Sequence, residues 1–139
     1  MNYKIISLPM LAILALAVGN VQAHAAERKY KANGPTSSAI TGDISIDDNG
    51  IKFANGKTLA FSSRTTGDFS WGGEQVDASI YKVKTPSDPK LKGGNMLCGK
   101  KVTYVATWIA ETSLALAVFT DDKAPTGDDT MCALYTYDK

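Results

Sequence analysis

The chain has 139 residues, with 15 lysines and arginines against 14 aspartates and glutamates, one histidine and two cysteines. So even a charge balance lacks the basic footprint of a nucleic-acid binder and offers no attraction to anionic lipid. One histidine and two cysteines also leave little material for zinc ligation or imidazole catalysis.

Lys4 gives a short positive start, and residues 5–18 form an apolar run broken only by Ser7 and Pro9. Gly19-Asn20 then precedes the small-residue site Ala23-His24-Ala25. That order reads as a secretory signal peptide over residues 1–25. An uncleaved anchor is the competing reading, but a spanning helix needs roughly 20 apolar residues and this run is shorter. No later stretch is long enough, so no membrane span is expected once the signal is removed. Cleavage after Ala25 takes away His24, the only histidine, whereas cleavage after Ala23 leaves it near the new terminus. Removing 25 of the 139 residues leaves 114, the size of one domain, with fourteen charges of each sign once Lys4 is gone. The expected destination is the periplasm, with extracellular release as the alternative.

Residues 26–38 are polar and carry Gly34 and Pro35, and read as a flexible lead-in to a single β-domain over 39–139. Ile40, Gly42, Ile44 and Ile46 alternate with Thr41, Asp43, Ser45 and Asp47, the period of a half-buried strand. Asn49-Gly50 and Asn55-Gly56 then supply two tight-turn signals, so a three-stranded meander is expected over residues 40–62. Residues 63–75 read as a polar connection bearing Phe69 and Trp71. Residues 76–84 read as a strand with a bulge, ended by the prolines Pro86 and Pro89. After a long connection, residues 102–109, 114–120 and 132–137 read as three further strands. A hairpin is favoured over a helix across 110–119, and an acidic loop spans 121–129. The sum is an all-β domain of six or seven antiparallel strands, a small barrel or sandwich.

Export sends Cys98 and Cys132 to an oxidising compartment, where a disulfide between them is expected. Loop closure over residues 34 apart would stabilise the fold by roughly 2–4 kcal/mol. In general plan (size, single domain, β content) the chain resembles the small periplasmic lysozyme inhibitors. Other exported β-barrel families share that plan, and it assigns no functional position.

Without histidine, serine–histidine and cysteine–histidine catalysis are excluded from the processed chain, and no spacing singles out a serine–lysine pair. Asp47-Asp48, Asp121-Asp122 and Asp128-Asp129 offer adjacent carboxylates, read as solvated turn residues. A weak calcium loop over Asp121, Asp122, Asp128 and Asp129 is the sharper alternative. Phe69 and Trp71, set among Gly67, Gly72 and Gly73, form the candidate recognition loop, because loop aromatics give large contact area at low entropic cost. The competing reading folds those rings back into the core. Trp108 reads as core with Val102, Tyr104 and Ala106. No cofactor, metal or catalytic residue is assigned. The leading reading is an exported, non-enzymatic binding or inhibitory module with a protein or glycan partner. An envelope-associated structural protein and a carboxylate-dependent hydrolase are the alternatives.

Overall fold

The computed structural model describes residues 26–139, so the signal peptide, its cleavage site and His24 lie outside the described residues. Eight strands follow one another around a closed barrel in chain order, each antiparallel to its neighbours. They are β1 (Arg28–Ala32), β2 (Ile44–Asp47), β3 (Gly50–Lys52), β4 (Thr58–Trp71), β5 (Glu74–Ser87), β6 (Val102–Ala110), β7 (Ser113–Phe119) and β8 (Ala133–Asp138). One short helix, α1 (Pro35–Ile40), joins β1 to β2.

The all-β, antiparallel expectation holds, but the strand count is eight. The added strand is β1, within the segment expected to be a flexible lead-in. Its Tyr30 enters the core opposite Ile44, and the strand closes the barrel by pairing with both β2 and β8. α1 follows at Gly34-Pro35, where proline at the first helical turn forfeits a hydrogen bond that would be unmade anyway. The meander forms as expected through β2, β3 and β4, except that alternation begins at Ile44, because Ile40 closes α1 instead. Gly50 is needed at the first turn: a Cβ there would sit 2.6 Å from the Leu59 carbonyl oxygen.

Residues 63–75 differ most from expectation. They are not a connection, since β4 and β5 pair continuously from Ser63–Lys82 to Trp71–Glu74. Gly72 and Gly73, at φ 57° and 84°, make the two-residue turn, a left-handed pair that glycine adopts without strain. Nor does Pro86 end β5. It lies between the Lys82 and Ser87 pairings with β6, where the ladder is irregular and its missing N–H leaves no hydrogen bond unmade.

Alternation then divides the apolar side chains between two cores. Ile44, Ile51, Leu59, Phe61, Val105, Leu116, Val118 and Tyr135 fill the barrel interior. Ala106, Trp108, Ala115, Ala117 and Phe119 point outward from β6 and β7 and pack against Phe69 and Ala78. Trp108 is buried as expected, with Tyr104 and Ala106, but Val102 belongs to the interior core.

One end of the barrel is plugged. Tyr137 and Thr41 share a buried hydrogen bond at 2.7 Å, Ser37 Oγ accepts the Thr136 N–H at 3.0 Å, and Tyr135 donates its hydroxyl to the Leu97 carbonyl. Leu91 and Leu97 complete the plug.

The expected disulfide is not formed: Cys98 and Cys132 are free thiols. They lie within hydrogen-bonding reach of each other, and the Cys132 thiol also donates to the Cys98 carbonyl at 3.4 Å. Burial, together with Cys132, pushes the Cys98 thiol up to about 12, so it is a weak nucleophile in this form.

The plug yields an asymmetric pair of substitutions. Thr41→Val strands the buried Tyr137 hydroxyl and is expected to cost about 1–3 kcal/mol. Tyr137→Phe leaves the Thr41 hydroxyl bonded to the Ser37 and Gly42 carbonyls and should cost about 1 kcal/mol or less. Urea denaturation of both variants measures the difference.

Candidate functional site

Strand lengths locate the site. β3 pairs with β4 only over Thr58–Ala60, and β6 meets β5 only from Ser79 onward. The far half of the β4–β5 hairpin therefore outruns its neighbours and forms an arm. Side chains on its two faces have different fates. Outward-facing Phe69 meets Trp108 at 5.1 Å between ring centroids and Phe119 edge-on at 6.2 Å, while Trp71 lies 5.0 Å from Trp108. The small side chains of Ala106, Ala115 and Ala117 leave room for these rings. Such aromatic pairs add about 0.5–1.5 kcal/mol each beyond the area they bury.

The arm is also tied down at its tip. Ser70 donates its N–H to the Thr126 carbonyl at 3.0 Å and bridges Gly127, and Asp128 Oδ2 accepts the Gly72 N–H at 3.2 Å. The acidic loop, for which a weak calcium site is the alternative reading, thus fastens the arm. Among the described residues no group of three or more histidine, cysteine, aspartate or glutamate side chains is placed to hold a metal ion. Asp121-Asp122 and Asp128-Asp129 lie in this loop, whereas Asp47-Asp48 lies at the open end of the barrel, so the three acidic pairs are not brought together.

Of the two readings of Phe69, Trp71, Gly72 and Gly73, the placement of the rings agrees with the competing one, in which they fold back onto the core. Phe69 has no exposed surface, Trp71 is half-buried, and the two glycines are a turn rather than a mobile loop. A Gly-Gly pair flanked by Phe69, Trp71, Val76 and Ala78 at alternate positions was the available hairpin signal.

Inward-facing arm residues line a cleft of about 210 Å³ at the barrel's open end. Arg64, Thr66, Asp77 and Ser79 come from the arm, Arg28 and Asp48 from β1 and the β2–β3 turn, and Thr107 and Trp108 from β6. Arg64 is fixed at its centre. It donates to Asp48 Oδ1 at 3.1 Å and to Ser79 Oγ at 3.1 and 3.3 Å, and its guanidinium lies 5.9 Å over the Tyr81 ring. Burial raises the Tyr81 phenol above its ordinary value, against the opposing pull of Arg64. Trp108 also borders the cleft, but its ring turns outward onto Phe69 and Trp71, where its buried indole N–H has no hydrogen-bond partner among the described residues. The sequence pattern singled out Asp48 only as part of an acidic pair and gave no sign of Arg64 or Ser79, because their meeting depends on the pairing of β4 with β5 and on the β2–β3 turn lying beside β4.

The chain matches no known protein family, no curated protein and no solved structure.

Phe69→Ala is expected to destabilise the fold by about 3–5 kcal/mol, as for a buried core aromatic. Trp71→Ala, at the half-buried margin, should cost less. Thermal or urea unfolding checks the order, and a Phe69→Ala variant of unchanged stability would contradict this packing.

Proposed function

We propose that the protein is an exported, non-enzymatic binding or inhibitory module whose site is the open barrel mouth rather than the hairpin tip. The observation that carries this reading is Arg64, held by Asp48, Ser79 and Tyr81 across the one open end of a filled barrel. Fixing such a long side chain before binding removes much of the entropy cost of using it. Export rests on the amino-terminal pattern of residues 1–25, with the periplasm as the expected compartment. No helix among the described residues is long and apolar enough to cross a membrane.

The filled interior argues against carriage of a small ligand within the barrel. At about 210 Å³ the cleft is smaller than the roughly 300–1,000 Å³ of typical small-molecule pockets. It suits a single polar group, a side chain or one sugar unit, projecting from a larger protein or glycan. Its lining mixes Arg28 and Arg64 with Asp48 and Asp77, so a group carrying both acceptors and donors is favoured over a simple anion. In an oxidising compartment the adjacent thiols of Cys98 and Cys132 would close to a disulfide. Thiol–disulfide exchange with an oxidised dithiol catalyst takes up the two electrons and two protons. The bridge would tie the plug loop to β8.

Affinity capture from periplasmic extract, followed by titration of the retained partner, tests the reading. Arg64→Ala should weaken binding at least tenfold while leaving stability within about 1 kcal/mol, the usual limit for a surface ion pair. Undiminished binding by a folded Arg64→Ala variant would exclude the mouth.

A further inference from the structure

The same arm leaves a strand edge without a partner among the described residues. Beyond Phe61, whose N–H is taken by the Asn49 carbonyl, β4 has no backbone partner among the described residues on the side away from β5 until Ser70. Residues 62–68 are all exposed, and the stretch contains neither proline nor lysine, the usual guards of a free edge. The Ser70 N–H points away from β5 to Thr126. Pairing is regular from Ser63 to Trp71, so by strand alternation Arg64, Thr66 and Asp68 also direct their backbone N–H and C=O groups to the free edge.

We infer that this edge pairs with the same edge of a second copy of the chain, antiparallel about a two-fold axis at Thr66, giving a homodimer with a continuous sheet. The register follows from charge. With Thr66 opposite Thr66, Arg64 of each copy stands opposite Asp68 of the other, on one face of the sheet. Cross-strand pairs of opposite charge are favourable and like charges are not. A two-fold at Arg64 would oppose two guanidinium groups. One at Asp68 would oppose two carboxylates and require Ser70, whose N–H is already used. The Thr66 axis also satisfies the backbone: the Arg64–Asp68, Thr66–Thr66 and Asp68–Arg64 pairs each exchange two N–H···O bonds, about six in all. Arg64 keeps two of its five N–H donors after bonding Asp48 and Ser79, enough for a neighbouring carboxylate. Asp68 has no hydrogen bond or ion pair within its own chain among the described residues. On the opposite face Thr65 meets Gly67, where a Cβ would find open space, so nothing obstructs the approach. Arg64 serves both the mouth and this edge, so the dimer is tested on the protein alone, without a mouth ligand.

Sedimentation-velocity measurements on the purified protein across a micromolar-to-millimolar series test this. The expected result is a concentration-dependent dimer that weakens with added salt. Thr66→Pro removes only an edge-facing N–H and is tolerated at a free edge, so it should remain folded by circular dichroism and stay monomeric. Asp68→Arg and Arg64→Asp each oppose like charges and should each be monomeric alone. Mixed one to one, they restore both opposite-charge pairs and should form a heterodimer. A monomeric parent at millimolar concentration, or a folded Thr66→Pro variant that still dimerises, overturns the inference. Failure of the mixed charge variants to associate overturns the register.

Discussion

Contact between Phe69 and Trp108 is the interaction on which the rest of this structure depends. β4 and β5 have 14 residues each, whereas no other strand exceeds nine. An extended hairpin left alone in water is marginally stable at best, so the surplus length must find a surface. It finds the outer face of β6 and β7, where alanines make a shallow seat and Trp108 and Phe119 receive the Phe69 ring. Once the arm is seated, three features follow. The outward face of β6 and β7 becomes a second core, the inward face of the arm becomes a wall of the open mouth, and the outer edge of β4 is left unpaired among the described residues.

Burial on both faces explains the composition of β7, whose residues 114–119 are apolar and buried without interruption. Such a run is normal for a strand covered on both sides. The two barrel ends divide the labour differently. At the plugged end Thr41, Ser37 and Tyr135 are hydrogen-bonded within the chain, and only Asp88 Oδ2 is buried without a partner among the described residues. At the mouth, Arg64 is held but exposed with two N–H donors to spare, and Arg28 and Asp77 line the opening. The plugged end is built for stability, and the mouth retains unspent hydrogen-bonding capacity.

Local signals made some of this legible. Asn49-Gly50 and Asn55-Gly56 disclosed the meander, and the β-branched and aromatic residues 102–109 disclosed β6, because turn chemistry and period-two alternation are properties of short stretches. β1 was hidden because only Tyr30 is buried along its five residues, and a strand defined by its partners leaves no period to read. The arm was hidden because its inward side is polar: Arg64, Thr66 and Asp68 made residues 63–75 resemble a loop. Phe69 and Trp71 were singled out for good reason, as large apolar rings in a polar setting, but the surface that receives them is built from residues nearly forty positions later. The mouth itself could not be read from the chain, since Asp48, Arg64 and Ser79 meet only through the register of β4 with β5 and the packing of the β2–β3 turn beside β4.

Amide hydrogen exchange along β4, at protein concentrations low enough to keep the chain monomeric, tests the central claim that the arm is a docked hairpin with one free edge. The account predicts alternation: slow exchange at Thr65, Gly67 and Phe69, whose N–H groups face β5, and at Ser70, bonded to Thr126. Arg64, Thr66 and Asp68, facing the open edge, should exchange fast. Uniformly fast exchange from residue 63 to 78 would mean that the arm is not docked and would contradict the account.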